Sequence, residues 1–237
     1  MNSYIYLIII YMITDRMTYQ EIADAIRKDW RDELISCHEH CFGMRKKYGR
    51  FILNNVKPEQ FYYLGRREKI SKTKNKYVFL FFTHGRKQYK KEGPLRSFRL
   101  EYLRRDGIHV AKINVSNTKE VTFFTPHFFD RYRERFLEKN YDVEDWTKED
   151  VIDDYFLHNI GEVSKSQNNP KYPDGIFVTC DSGVILGVDL GEGLWEYRTY
   201  ISFEMLKGGQ IDDSSEEAVI LEQIKDLPKN IDINSIL

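Results

Sequence analysis

The residues whose types and spacing could do chemistry lie near the middle of the chain. His127, Arg131 and Arg135 follow one another at intervals of four residues, and residues so spaced share one side of an α-helix. Thr125 is a helix-capping residue type, and Pro126 suits the first helical position because it has no N–H to leave unpaired. An imidazole that titrates near neutral pH beside two permanent cations suits an anionic phosphate ester. The spacing therefore predicts a helix that carries a phosphate site.

A second wall for this site would come from the predicted strand at residues 194–203. Metal-free cleavage of a phosphate ester needs an acid or base and positive donors where charge develops. Alternation along a strand places Arg198 and Ser202 on one face and Thr199 on the other, so Thr199 could act only at a bend. We expect His127 to be the acid or base, the arginines to bind the phosphate and Ser202 to donate a hydrogen bond. The predicted catalytic set is His127, Arg131, Arg135, Arg198 and Ser202.

Three features together resemble a known family. They are the His-x-x-x-Arg-x-x-x-Arg helix that starts at His127, the Asp-Ser-Gly turn at residues 181–183, and the closing Arg-Thr-x-Ile-Ser strand that starts at Arg198. This combination is similar to the small nucleases of the barnase–EndoU–colicin–RelE fold, especially their phage- and toxin-associated branches. The resemblance covers residues 97–206 and implies helices packed on a small antiparallel sheet. It also implies a metal-independent ribonuclease or toxin, with RNA as substrate, an antitoxin or immunity-type protein as partner, and Thr199 as a further site residue.

The same helix has two other interpretations. His127 could be a polar residue at an exposed helix start, while Arg131 and Arg135 pair with acidic neighbours such as Glu134. Exposed pairs of this kind contribute only about 0.2–0.5 kcal/mol each. Alternatively, the cations could bind a polyanion without any chemistry.

Two basic segments flank the apolar run at residues 77–82. Phosphate contacts dominate nucleic-acid affinity, and aromatic residues among the cations could stack on unpaired bases. We expect both segments, residues 66–76 and 85–96, to be loops, and the alternative is that they are merely solvated. The predicted nucleic-acid-binding residues are Arg66, Arg67, Lys72, Lys74, Lys76, Arg86, Lys87, Lys90 and Lys91.

Charge is divided unevenly along the chain. Residues 1–140 hold 29 Lys and Arg against 16 Asp and Glu, whereas residues 141–237 hold 7 against 21. Such a division suggests a polyanion-binding part beside an acidic part, unless the halves fold together and their fields cancel. The acidic half also admits a third function class, an interaction protein that docks a basic partner.

Composition excludes several classes. With 41% hydrophobic and 14% aromatic residues the chain can build a core, which argues against wholesale disorder. Cys37, Cys41 and Cys180 are too few for a disulfide framework, so we predict a reducing, cytoplasmic setting. On a helix, Cys37 and Cys41 share a side while His38 and His40 point elsewhere, so buried thiols are favoured over a zinc site. We predict no metal and no cofactor.

The N-terminal run at residues 4–13 is almost entirely apolar. It is shorter than the about 20 residues that span a bilayer, and it lacks the features of a secretory signal. It could be a buried strand or the first turns of a helix. Alternatively, translation could begin at Met12 or Met17, and the run would then be an upstream extension. Whether residues 1–16 are natively translated is therefore open. We predict that the protein does not associate with a membrane.

The remaining elements follow from local signals. Thr18 and Glu21 form a capping-box pattern before a helix at about 19–41, and Thr147 begins a second helix that ends near Asn159. The Asp106-Gly107 dipeptide is the strongest hairpin signal in the chain. Strands are predicted at residues 77–82, 97–103, 108–115, 121–124, 176–180, 184–188 and 194–203, with a loop at 164–174 and a closing helix at 218–224.

This order of elements predicts an α+β fold with an antiparallel sheet and packed helices. We divide the chain into an N-terminal helical-plus-strand extension, residues 1–96, and a nuclease-like sheet with helices, residues 97–237.

Overall fold

The computed structural model describes residues 13–159, 161–166 and 173–206. Its helices are α1 (Tyr19–Asn55), α2 (Arg86–Glu92), α3 (Pro126–Tyr132), α4 (Glu138–Asn140) and α5 (Lys148–His158). A π-helical turn (Arg133–Leu137) joins α3 to α4, and a 3-10 turn (Phe203–Met205) follows the last strand. The strands are β1 (Tyr62–Ile70), β2 (Lys76–Thr83), β3 (Leu95–Arg104), β4 (Gly107–Ile113), β5 (Val121–Phe124), β6 (Glu162–Ser166), β7 (Gly175–Cys180), β8 (Gly183–Gly191) and β9 (Leu194–Ser202).

All nine strands form one sheet in the order β1-β2-β3-β4-β5-β9-β8-β7-β6. Neighbouring strands are antiparallel except for β5 and β9, which are parallel. The predicted α+β class is therefore confirmed, with a mostly antiparallel sheet. The division predicted at residues 96/97 falls inside β3, and β3 pairs with β2 on one side and β4 on the other. The two predicted regions thus share a single sheet.

Helix α1 covers one face of the sheet, which we call the α1 face. Ile22 and Ile26 of the helix are buried in the same core cluster as Phe79, Tyr102 and Phe123 of the sheet. The helix starts at the predicted capping box, in which Thr18 Oγ1 accepts the Glu21 N–H at 3.2 Å and the Glu21 carboxylate accepts the Thr18 N–H at 2.7 Å.

Helices α3 and α5 cover the other face, which we call the α3 face. Its core is aromatic: Phe124, Phe128, Tyr132, Tyr155 and Tyr197 all belong to one buried cluster. The ring of Phe128 meets that of Tyr155 edge-on, with centroids 5.0 Å apart. This arrangement is favourable beyond the burial of area, and it fixes α3 on the sheet.

Several boundaries differ from the sequence prediction. Helix α1 extends to Asn55 rather than to residue 41, because Met44 and Ile52 continue its buried side. The predicted loop at 66–76 is wrong, since β1, a turn and the start of β2 occupy it. The predicted loop at 85–96 contains α2.

Two further differences concern the C-terminal part. The predicted loop at 164–174 begins instead within β6. The predicted closing helix at 218–224 and most of the apolar run at 4–13 lie outside the described residues. In the described part of the chain, no helix combines the length and the apolar character needed to cross a membrane.

Candidate nucleic-acid interface

The helix that carries His127 begins as predicted. Thr125 Oγ1 accepts the Phe128 N–H at 3.3 Å, and Pro126 occupies the first turn. Phe128 and Tyr132 are buried on the α3 face, and His127 is left exposed on the other side of the helix.

The two arginines that follow His127 are held differently. Arg131 Nε donates to His127 Nε2 at 3.4 Å, and its NH1 pairs with Glu134 at 2.5 Å. Arg135 NH1 donates to the carbonyl of Tyr200 on β9 at 2.5 Å. The residues from Arg133 onward form the π-helical turn, whose wider repeat breaks the four-residue alignment. His127 and Arg131 therefore meet, while Arg135 holds the helix to β9.

Arg198 does not join this group. Its neighbours Tyr197 and Thr199 pair with the adjacent residues Gly187 and Leu186 of β8, so Arg198 is an extra, bulged residue. A bulge of this kind breaks strict alternation, and Tyr197 and Tyr200 accordingly both reach the core of the α3 face.

The bulge leaves Arg198 on the α1 face. Its Nε donates to Glu196 at 2.5 Å, and Glu196 also accepts a hydrogen bond from Tyr19 of α1. The prediction that Arg198 and Ser202 lie on one face of the strand is therefore wrong. Ser202 itself is buried, and its hydroxyl has no hydrogen-bond partner within the described ranges.

Two cations of the first basic segment lie in a buried ion-pair network. Arg66 pairs with Asp153 of α5 at 3.0 Å, and Lys76 pairs with Glu101 at 3.0 Å. Arg99 is fully buried and contacts both of these carboxylates. These groups stabilise the contact between α5 and the sheet, so Arg66 and Lys76 are not the free loop cations that we expected.

Of the other cations of this segment, Arg67, Lys72 and Lys74 are exposed and Lys69 is half-buried. Lys72 pairs with Asp32 of α1 at 2.8 Å. Arg67 and Lys74 have no carboxylate within 4 Å among the residues that the structure describes. Lys69 pairs with Glu33 of α1 at 3.2 Å. The N-terminal half of α1 thus supplies acids to the hairpin that β1 and β2 form.

The second basic segment is different, because its cations lie on α2 against the C-terminal half of α1. Tyr89 of α2 donates its hydroxyl to the carbonyl of Arg45 at 3.2 Å, which fixes the two helices together. A groove of about 470 Å³ runs between them and is lined by Arg45, Arg50 and Lys90. We define the basic face as six of the exposed cations on the C-terminal half of α1 and on α2: Arg45, Arg50, Arg86, Lys87, Lys90 and Lys91.

The basic face has little acidic compensation. Within the described part of the chain, Lys91 is the one member with a carboxylate within 4 Å, that of Glu92 at 3.6 Å. Exposed Phe42 and Phe51 lie on the same half of α1. Sequence reasoning missed Arg45 and Arg50 because it ended the helix near residue 41, although four cations within residues 45–50 were a signal.

The cysteines and histidines of α1 do not assemble a metal site. Cys37 and Cys41 are buried, and burial raises the pKa of the Cys37 thiol to about 12. In the described ranges, no group of three or more His, Cys, Asp or Glu side chains is arranged to hold a metal ion.

Comparison of the chain with protein-family models, with curated proteins and with solved structures found no match.

Proposed function

We propose that this protein binds single-stranded nucleic acid, RNA above all, through the basic face. The observation that carries the proposal is the concentration of exposed cations on two packed helices, with one carboxylate within 4 Å of them among the described residues. Cations that already have protein partners lose those partners when they bind phosphate. Cations without such partners bind phosphate and release counterions, which drives association.

The aromatic residues beside the basic face favour an unpaired strand. Phe42 is 55% exposed and Phe51 is 45% exposed. Exposed rings among cations provide stacking surfaces for bases that are not paired, and such stacking tolerates any sequence. The groove between α1 and α2 is the natural path for the phosphate backbone.

The test is the salt dependence of binding. A fluorescein-labelled single-stranded RNA should bind with a log–log salt slope of about −3 to −4, because about five phosphates each contribute about −0.7. A duplex of equal charge should bind less well. A slope near zero would contradict the proposal.

A second candidate is metal-independent RNA cleavage at His127, which one contact favours. Arg131 donates to His127 Nε2, so this nitrogen is an acceptor and can act as a base beside a cation. His127 would take the proton of a 2′-hydroxyl, O2′ would bond to phosphorus, and the departing 5′-oxygen would take a proton from water. The products would be a 2′,3′-cyclic phosphate and a 5′-hydroxyl. Arg198 has no part in this reduced site. The test is cleavage of a mixed-sequence RNA in EDTA, which must depend on His127.

A further inference from the structure

A cleft of about 400 Å³ opens on the α3 face, on the opposite side of the sheet from the basic face on α1 and α2. Strands β4, β5 and β9, the start of β6 and the loop between β4 and β5 line it. Its lining includes Lys112, Thr122, Glu162, Trp195 and Tyr197, and the loop adds Glu120. None of these residues belongs to the sites considered above. The volume is in the range of small-molecule pockets, about 300–1,000 Å³.

Curvature of the sheet forms the cleft. Lys112 on β4 and Glu162 on β6 are five places apart in the strand order, which would separate them by roughly 24 Å in a flat sheet. Their side chains nevertheless approach to 3.9 Å between Nζ and Oε1. The sheet therefore curls around the α3 face and brings a cation and a carboxylate into one wall.

Two tyrosines hold the Glu162 carboxylate in place. Tyr155 donates to Oε1 at 3.2 Å and Tyr197 donates to Oε2 at 3.3 Å. Burial raises the pKa of Tyr155 well above its ordinary value, so that its hydroxyl keeps the proton it donates. A carboxylate accepts about four hydrogen bonds. Glu162 therefore has acceptor capacity left on a side chain that is already oriented.

Trp195 supplies an aromatic wall to the same cleft. It is partly buried against the core of the α3 face. Flat heteroaromatic rings stack on tryptophan, and the neighbouring Lys112 can donate to a carbonyl or ring nitrogen. A stacking surface, a fixed acceptor and a donor are the three elements that recognise a nucleobase.

We propose that this cleft binds a single nucleobase that carries an exocyclic amino group, stacked on Trp195 with the amino group donating to Glu162. Lys112 then donates to an acceptor on the same base edge. Adenine, cytosine and guanine offer such an amino group. Uracil is disfavoured because carbonyl oxygens flank its one N–H and would face the carboxylate. The inference goes beyond the proposed function, since it needs no phosphate and lies on the opposite face of the sheet.

Neutral nucleosides separate the two proposals, because they carry no phosphate for the basic face. Adenosine, cytidine, guanosine and uridine are titrated against the full chain by calorimetry, with tryptophan fluorescence as a second readout. We expect saturable binding of the three amino-bearing nucleosides at least tenfold tighter than that of uridine. Glu162→Gln keeps the shape but leaves an acceptor oxygen for only one of the two tyrosines, and it should remove this preference. Trp195→Phe should lose the fluorescence change, while Lys87→Gln with Lys90→Gln should bind nucleosides as the parent does.

Three outcomes would overturn the inference: no saturable binding of any nucleoside, equal affinity for adenosine and uridine, or an unchanged preference in Glu162→Gln. If Glu162→Gln lowers the melting temperature by several degrees, Lys112→Met replaces it as the test variant. Lys112→Met should weaken adenosine binding at least tenfold. If the affinity of Lys112→Met for adenosine equals that of the parent, the inference fails. RNA affinity should be the same in Glu162→Gln and the parent, so loss of the nucleoside site and loss of the basic face give different results.

Discussion

Arg198 donates to Glu196 at 2.5 Å on the α1 face of the sheet, whereas His127 belongs to the helix on the opposite face. A single bulged residue in β9 causes this separation. The His127 helix and Arg198, which the sequence predicted to form one site, therefore lie in two separate places. Any chemistry at His127 must use Arg131, which contacts it directly.

Arginine substitutions can test this separation. If the protein cleaves RNA, Arg131→Ala should lower the cleavage rate by about 10²-fold or more, because it removes the cation beside the base. Arg198→Ala should leave the rate within about twofold, since its side chain is on the other face. The rates are measured in EDTA with His127→Ala as the inactive reference. Equal losses in the two arginine variants would contradict the geometry.

The buried network around Glu101 should dominate the acid sensitivity of the fold. Burial pushes the pKa of Glu101 upward, but Arg99 and Lys76 outweigh it and lower the pKa below its ordinary value. A lowered pKa gives stability that is present above the unfolded value of about 4.3 and is lost as the pH falls through the folded value. Glu101→Gln should cost on the order of 3 kcal/mol at pH 7 and flatten the pH dependence of unfolding below about pH 5.

Urea unfolding between pH 3 and 7 measures this effect. Glu144→Gln is the matched control, because Glu144 is exposed and has no ion pair within the described ranges. It should unfold like the parent within about 0.5 kcal/mol. A Glu101→Gln protein with unchanged stability would show that the network is not a stabilising unit.

Substitution of Gly187 tests the pairing of β8 with β9 at the bulge. A Cβ on Gly187 would lie 2.3 Å from the carbonyl oxygen of Glu196, a contact that only movement of the two strands relieves. Gly187→Ala should therefore lower the melting temperature by more than about 5 °C, which for a domain of this size corresponds to at least about 1–2 kcal/mol.

Gly43 provides a control with the opposite sign. It lies within α1, and a Cβ there meets nothing within 4 Å. Gly43→Ala should stabilise the protein by about 0.5–1 kcal/mol, because alanine favours the helix. Thermal unfolding of the two variants distinguishes these outcomes, and a Gly187→Ala variant as stable as the parent would contradict the register.

Local signals predicted the starts of the main helices and the hairpin at Asp106, because capping and turn chemistry act over a few residues. The position of Arg198 could not be predicted, since alternation assumes a regular strand and a bulge is set by the neighbouring strand. Arg66 and Lys76 look like loop cations in sequence, and only strand pairing shows that they face Asp153 and Glu101.

The basic face likewise required the tertiary structure. Its cations come from the end of α1 and from α2, about 40 residues apart, and Tyr89 brings the two helices together. Sequence reasoning identified the α2 cations but grouped them with the hairpin. The acids that pair with Lys69 and Lys72 of the β1–β2 hairpin, Glu33 and Asp32, lie on the other half of α1.

We expect the basic face, and not the β1–β2 hairpin, to bind RNA. The most direct measurement compares two charge-matched double variants by RNA affinity at one salt concentration. Lys87→Gln with Lys90→Gln should weaken binding about tenfold and reduce the magnitude of the salt slope by about 1.4, which is two phosphate contacts. Lys69→Gln with Lys72→Gln removes the same charge from the β1–β2 hairpin, where both lysines have carboxylate partners on α1, and should change affinity by less than about twofold. Equal weakening in both variants, or a larger loss in the hairpin variant, would contradict the account.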